Sequence, residues 1–104
     1  MDESLAEIIE LERANYAAML PVARVTPGLD VIIRDDIIMT SSKVFPTPDT
    51  THACLLQATP DTVDNLIVQV IDYFQSQGLP TAIYVSPACT PADLPRYLIS
   101  RGFT

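Results

Sequence analysis

Three side chains in the sequence have the chemistry of nucleophiles or metal ligands: His52, Cys54 and Cys89. Cys89 lies between a predicted strand and a predicted helix start, where the helix dipole could lower the pKa of a thiol and favour nucleophilic attack. Such a cysteine also needs a base, and the only histidine lies far upstream in the chain. Pro91 and Pro95 lack the backbone N–H groups that an anionic substrate would use. We therefore expect an ordinary loop thiol at Cys89, with a thiol enzyme as the weakest alternative.

The same three residues do not form a convincing metal site. His52 and Cys54 are two positions apart on a predicted strand, so their side chains share a face. Zinc sites usually have four ligands, and a fourth is missing even when Cys89 is added. The sequence therefore predicts no metal centre.

Two other polar stretches have both a functional and a simpler interpretation. Asp35 and Asp36 resemble paired carboxylates, but adjacent acidic residues between two strands are typical of a turn. Residues 40–51, rich in Ser, Thr and Pro, fit either a mobile loop beside a substrate or an irregular connection.

Composition narrows the class of protein. A chain of 104 residues fits one domain, and its hydrophobic share of 48% fits a globular core. The net charge is −7 and the six basic residues are scattered, which argues against nucleic acid or an anionic membrane as a partner. No basic segment precedes an apolar run at the N-terminus, and no stretch is long enough to span a membrane. Two cysteines placed in this way are typical of a reduced, cytoplasmic protein.

Residues 60–77 form the best-specified predicted element, a helix. Thr59 is predicted to cap it, Pro60 suits its first position, and Gly78 followed by Leu79 and Pro80 ends it. Its apolar residues recur at three- and four-residue steps, which places one stripe on the core: Val63, Leu66, Ile67, Val70, Ile71 and Phe74.

An N-terminal helix is predicted over residues 4–20. Ser4 and Glu7 have the spacing of a capping box, Asp2 and Glu3 add favourable charge, and Pro21 is expected to end the helix. Residues 22–28 are expected to be a connector. The predicted buried face comprises Leu5, Ile8, Ile9, Tyr16, Met19 and Leu20.

Four strands are predicted. Residues 29–33 and 37–41 read as an antiparallel hairpin, and residues 53–58 as a strand apolar on both faces and therefore central. Residues 81–86 follow the long helix, so we expect a right-handed crossover to a parallel neighbour.

The end of the sequence predicts a short helix and the start of a further strand. Pro95 fits the first turn of a helix that begins near Asp93 or Leu94 and ends at Gly102. Its buried stripe would contain Leu94, Tyr97 and Leu98. Phe103 then looks like the first residue of an unfinished strand, so we expect residues 1–104 to be a single domain truncated at its C-terminal end.

This order of elements resembles the GNAT superfamily of N-acetyltransferases, and more narrowly the N-terminal part of two-part bacterial GNAT proteins. The likeness rests on two phrases, DDIIMTSSKVFPTPDTTHACLLQATP at residues 35–60 and YFQSQGLPTAIYVSPACTPADLPRYLISRGFT at residues 73–104. It implies an α+β fold of GNAT-like type, with a mixed sheet, an N-terminal helix and helices packed on the faces of the sheet.

Two features of the family are missing. Its members bind the pyrophosphate of acetyl-CoA with an Arg/Gln-x-x-Gly-x-Gly/Ala loop at a helix N-terminus. The matching residues 58–62 contain no glycine and no arginine, Pro60 removes a donor, and Asp61 adds a negative charge. The family's general-acid tyrosine would fall at Leu98; Tyr97 is one residue away, about 100° around a helix. No catalytic, cofactor-binding or metal residue is therefore carried over.

The resemblance implies a degenerate GNAT half, the non-catalytic N-terminal portion of an acyltransferase. Acetyl-CoA would be bound by a downstream catalytic domain, which is the expected partner, and not by this chain. An alternative of another class is a free-standing interaction or ligand-binding module that dimerises through a sheet edge.

Overall fold

A small antiparallel sheet lies between two layers of helices in the computed structural model, which describes residues 3–103. The order of elements is α1 (Glu3–Ala17), α2 (Leu20–Val25), β1 (Leu29–Ile33), β2 (Ile38–Ser42), β3 (His52–Cys54), α3 (Val63–Ser76) and α4 (Leu94–Ser100). The sheet has the order β1-β2-β3. The chain is an α+β domain, as predicted. None of the helices in these residues is long and apolar enough to cross a bilayer.

The predicted hairpin is confirmed, with β2 beginning one residue later than expected. Leu29 pairs with Ser42 and Ile33 with Ile38, and the N–H of Arg34 donates to the Ile37 carbonyl at 2.9 Å. Asp35 and Asp36 therefore form the tip of the hairpin, and the Asp36 carboxylate binds the Arg34 guanidinium at 2.8 Å. This ion pair lowers the pKa of Asp36. The two carboxylates are turn residues, as their simpler interpretation required.

The predicted third strand is too long and wrongly placed. β3 ends at Cys54 because Leu55 adopts a left-handed conformation, with φ of 51°, which turns the chain out of the ladder. β3 is an edge strand of the sheet, and β2 is the central one. The outer side of β3 is covered by two bonds between Ala53 and the segment at residues 82–84.

The predicted fourth strand, residues 81–86, does not form a strand. Its pairing with β3 is a single parallel bridge between Ala53 and Ile83, and a second isolated parallel bridge joins Gln57 to Thr90. Pro80 and Pro87 flank the segment without N–H donors, and the turn at Leu55 removes the backbone that a longer ladder needs. All pairs between the named strands are antiparallel, so the expected mixed sheet is reduced to these two bridges.

Helix α3 has the predicted apolar stripe but begins three residues later than expected. Its stripe is buried except for Ile71, which packs against the core from a partly exposed position. Thr59 is not the cap, because the Thr59 carbonyl accepts the N–H groups of Thr62 and Val63 in a turn that precedes the helix. Gly78 ends the helix as predicted, with φ of 70°. This stripe packs with residues of β2, β3 and α4 in the main hydrophobic core.

The N-terminal helix differs from its prediction. α1 ends at Ala17, and Pro21 does not terminate a helix but lies in the first turn of α2, where its missing N–H is not needed. Ser4 lies inside α1 and is not its cap, while Asp2 lies outside the described residues. The predicted buried face is only partly covered: Ile9 and Tyr16 pack on the sheet, whereas Ile8 and Leu20 are exposed.

The predicted C-terminal helix is confirmed. α4 begins at Leu94 with Pro95 in its first turn, Leu94 and Leu98 are buried, and Gly102 has φ of 93°. The N–H of Phe103 then donates to the Leu98 carbonyl, and its ring packs on the core. The Phe103 backbone therefore closes the end of α4.

Candidate functional site

A cavity of about 750 Å³ lies between α1 and the face of the sheet opposite α3. Its walls come from α1, β2, β3, the loop after β2 and residues 83–86. Thr40 and His52 are direct partners across β2 and β3, so their side chains lie on the same face of the sheet and both line the cavity. Tyr16 enters from α1 and Tyr84 from the bridging segment.

His52 is held by hydrogen bonds at both ring nitrogens. Nδ1 lies 2.7 Å from the Pro48 carbonyl, which can only accept, so Nδ1 carries the proton of the neutral ring. Nε2 is then an acceptor, and the hydroxyl of Tyr16 donates to it at 2.8 Å. The tautomer of His52 is therefore fixed by the backbone on one side and by a phenol on the other.

Aromatic rings fix the plane of His52. The ring of Tyr84 stacks on it with 3.9 Å between centroids and 8° between planes, and Tyr16 meets it edge-on. The Tyr84 hydroxyl donates to the Pro48 carbonyl at 2.7 Å and lies 3.4 Å from Oδ1 of Asp49. Tyr84 and His52 thus share one carbonyl acceptor, which holds them in parallel.

The buried groups of this cluster stay uncharged at neutral pH. Burial lowers the pKa of His52, although the Pro48 carbonyl and the Asp49 carboxylate act in the opposite direction. Burial, together with a hydrogen bond to Cys54, raises the pKa of Tyr16. Burial raises the pKa of the Cys54 thiol to about 11, so Cys54 is not a thiolate nucleophile.

The charged residues at the cavity are both acidic. The negative charge of Glu12 contributes to the raised pKa of Tyr16 and Cys54. That of Asp49 opposes the effect of burial on the pKa of His52 and contributes to the raised pKa of Tyr84. Negative charge therefore lies on both sides of the cluster. No Lys or Arg is among the described residues that line the cavity. This electrostatic field disfavours an anionic ligand.

Thr40 supplies an unused polar group. It is 1% exposed, lines the cavity, and its Oγ1 has no hydrogen-bond partner among residues 3–103. An unpaired buried hydroxyl costs free energy, and buried polar atoms are rarely left in this state. A polar atom of a ligand in the cavity is one way to satisfy it.

The structure places two of the three predicted chemical residues on the cavity wall and the third in the core beside it. His52 and Cys54 share the face that lines the cavity, as their spacing predicted. Cys89 is 4% exposed, and it packs in the core beside α3, with Sγ 3.9 Å from the Tyr84 carbonyl. It is a buried thiol without access to a substrate. In the part of the chain that the structure covers, no three His, Cys, Asp or Glu side chains are placed to hold a metal ion.

The junction before α3, which matches the phosphate-loop position of the resembled family, forms hydrogen bonds within itself. The N–H groups of Thr62 and Val63 bind the Thr59 carbonyl, and the Thr59 N–H binds Oγ1 of Thr62 at 2.9 Å. Three amide donors at this helix start are therefore already paired. Tyr97 packs partly buried against the core, with the Arg96 guanidinium 5.8 Å from its ring centroid.

Sequence reasoning did not identify Tyr16 and Tyr84 as site residues, whereas Thr40 and Asp49 lie in the stretch 40–51, for which a place beside a substrate is one of the two interpretations given above. Tyr16 was expected in a buried helix face, and nothing in its spacing indicates a contact with His52, which is far away along the chain.

Comparison of the chain with protein families, with curated proteins and with solved structures finds no match.

Proposed function

We propose that this chain is a binding domain that takes up a small uncharged or cationic molecule in the cavity between α1 and the sheet. The observation that carries the proposal is the unpartnered Oγ1 of Thr40 on the wall of a cavity of about 750 Å³. This volume is within the range of small-molecule sites, which combine apolar walls with a few placed polar groups.

The cluster is arranged for binding and not for proton transfer. A general base needs a free lone pair near the substrate, but the Nε2 lone pair of His52 already accepts from Tyr16. Nδ1 is occupied by the Pro48 carbonyl. Cys54 stays a thiol at neutral pH because its pKa is about 11. The acidic rim formed by Glu12 and Asp49 then selects against anions.

A screen of uncharged and cationic fragments by ¹H–¹⁵N NMR tests the proposal. We expect binders to shift the amides of residues 38–42 and 52–54 together with those of residues 12–19. Asn15→Trp, on the exposed side of α1 at the cavity, fills the space and should abolish these shifts. Asn65→Trp, exposed on α3, is the matched control and should leave them unchanged. Hits that bind Asn15→Trp as well as wild type would contradict the proposal.

A second candidate function places this binding domain in an acyltransferase of the GNAT type, as its non-catalytic N-terminal portion. The order of two N-terminal helices, hairpin, strand, helix, bridging segment and helix supports it, since the resemblance rests in part on the order of the elements. The paired donors at residues 59–63 and the acidic cavity support the further proposal that acetyl-CoA is bound by a downstream catalytic domain. The residues that line the cavity would then form one wall of the site that binds the acyl acceptor. The two free thiols, Cys54 and Cys89, support a cytoplasmic location.

Two measurements test the acyltransferase candidate separately from binding at the cavity. Calorimetric titration of this chain with acetyl-CoA should show no binding, and micromolar affinity would overturn the non-catalytic assignment. The coding DNA after Thr104 should continue into a strand, an Arg/Gln-x-x-Gly-x-Gly/Ala loop and a helix. A stop codon directly after Thr104 would remove the acyltransferase candidate and leave the binding domain.

A further inference from the structure

The segment at residues 81–85 has one bonded side and one open side. On the side that faces β3, the Ala82 carbonyl accepts a hydrogen bond from the Ala53 N–H at 2.9 Å. The Tyr84 N–H donates to the Ala53 carbonyl at 2.8 Å. Successive residues of an extended chain direct their backbone groups to opposite sides, so the N–H and carbonyl of Ile83 point away from β3. Among residues 3–103, no hydrogen-bond partner is found for either group.

A groove of about 500 Å³ runs beside this open side. The side chains of Ile71 and Gln75 on α3 line one part of it, and residues 101–103 line another. The unpaired backbone groups of Ile83 therefore face a space that accommodates another extended chain. Exposed edges of this kind are templates for strand pairing.

We propose that this edge pairs with the same edge of a second copy of the chain, antiparallel and centred on Ile83. In that register the N–H of each Ile83 donates to the carbonyl of Ile83 of the partner subunit. Thr81 lies opposite Val85 of the partner subunit, which forms the next hydrogen-bonded pair at each end. One segment thus supplies both halves of the interaction, and no other sequence is needed.

Charge permits this pairing although the whole chain carries a net charge of −7. Residues 73–92 contain no Asp, Glu, Lys or Arg, and Arg101, which lines the groove, is paired with Asp64 at 3.5 Å, so two copies of the edge meet without unpaired like charges. The segment itself is rich in β-branched and aromatic residues, and Tyr84 and Val85 are 40% and 46% exposed. No lysine or proline interrupts residues 81–86, although these are the usual protections of an open edge.

The pairing does not depend on the ligand proposed above, but it reaches the same site. Tyr84 and Val85 line the cavity and Tyr84 stacks on His52, so a second subunit bound at this edge contacts a segment that forms part of the cavity wall. The contact is short because Pro80 and Pro87 flank it, so we expect a weak dimer that forms at high concentration.

Sedimentation velocity from about 10 µM to about 1 mM should show a monomer–dimer equilibrium, as a small interface gives. Amide exchange followed by NMR over the same range locates the contact. We expect the Ile83 and Val85 amides to exchange at least tenfold more slowly at the highest concentration, while exposed amides of α4 do not change. Exchange at Ile83 that is independent of concentration would overturn the proposal.

Charge pairs test the register. In the double variant Thr81→Lys/Val85→Lys, two lysines face each other at both ends of the contact, whereas in Thr81→Lys/Val85→Glu each lysine faces a glutamate. We expect the dissociation constant of the Lys/Lys variant to exceed that of the Lys/Glu variant about tenfold or more, since two cross-strand pairs change sign. Equal dissociation constants for the two variants would contradict both the proposed register and the proposed use of this edge.

Two further variants keep the test independent of folding. Val85→Pro removes an N–H donor on the open side at a half-exposed position, and we expect it to remain monomeric at 1 mM (about the top of the range) with unchanged circular dichroism. Asn65→Lys adds one lysine on the exposed side of α3, away from the edge, and should dimerise as the wild type does. A dimer that persists in folded Val85→Pro assigns association to another surface and overturns the proposal.

Discussion

The hydroxyl of Tyr16 donates to Nε2 of His52 at 2.8 Å, and this bond joins the N-terminal helix to the third strand of the sheet. It is possible only because the Pro48 carbonyl accepts a hydrogen bond from Nδ1, which keeps the ring proton on that nitrogen and leaves the Nε2 lone pair free to accept. The bond therefore depends on three separate parts of the chain: α1, the loop after β2, and β3. It also keeps His52 neutral, since a protonated ring could not accept from the phenol.

Tyr16→Phe should destabilise the protein by about 1–2 kcal/mol. The variant keeps the ring but leaves Nε2 of buried His52 without a donor, and an unpaired buried acceptor costs about this much. Urea denaturation measures the free energy of unfolding. Tyr97→Phe is the matched control, because no hydrogen bond of the Tyr97 hydroxyl is found among the described residues, and it should change stability by less than about 0.5 kcal/mol. Equal losses in both variants would show that the Tyr16–His52 bond contributes nothing specific.

The stability of the wild-type protein should fall as the pH drops below about 6.5, the usual pKa of histidine. Burial lowers the pKa of His52 in the folded state, so the unfolded chain binds more protons in this range and the free energy of unfolding rises with pH. The stabilisation is fully present above the unfolded pKa and is lost progressively towards the lower folded pKa. Denaturation at several pH values between 5 and 7.5 (about the range in which histidine titrates) gives the slope.

His52→Gln provides the control for the pH measurement. His52 is the single histidine of the chain, and Gln is neutral throughout this range. The slope of stability against pH should therefore be close to zero in the variant. A slope equal to that of the wild type would mean that other groups are responsible.

The sequence predicted those elements whose evidence is local. The stripe of α3, the hairpin with its acidic tip, and the stop at Gly102 depend on residue spacing and on conformations set within a few positions. Pro95 was placed correctly because its fixed φ and missing N–H leave only the first turn of a helix. Each of these features could be derived without knowing what the element packs against.

The features that the sequence did not predict depend on contacts between residues that are distant along the chain. A strand at residues 81–86 was a reasonable expectation from composition, but strand length is set by the partner, and the turn at Leu55 removes that partner. The sequence predicts that Pro21 ends a helix, but Pro21 lies in the first turn of the next one. Sequence alone does not separate the two positions, because both tolerate a missing N–H. The contact of Tyr16 with His52 had no counterpart in the sequence, so the candidate site emerged only from the structure.

Thr40→Val and Thr51→Val should change stability in opposite directions. Both hydroxyls are buried, but Oγ1 of Thr51 accepts the Ser42 N–H at 3.1 Å, while Oγ1 of Thr40 has no partner in residues 3–103. Removing the Thr51 hydroxyl should cost about 1–2 kcal/mol, and removing that of Thr40 should be neutral or stabilising by up to about 1 kcal/mol. Thermal and urea denaturation compare the two variants. A loss above about 1 kcal/mol in Thr40→Val would show that its hydroxyl is already satisfied.

Helix α1 should open more readily than α3 and should be held closed by a ligand in the cavity. No described side chain of α1 is fully buried, and Ile8 and Leu11 are 43% and 63% exposed, whereas α3 buries five apolar side chains. Elements with little buried apolar area open locally at a lower free energy than the global unfolding. Native-state amide exchange should therefore be at least about tenfold faster in the middle of α1 than in the middle of α3.

Because Glu12, Asn15 and Tyr16 form the α1 wall of the cavity, a fragment bound there should slow exchange in α1 more than in α3. Equal protection of the two helices without ligand would show that the contacts of α1 with the sheet, with Tyr16–His52 among them, hold it as firmly as the core holds α3.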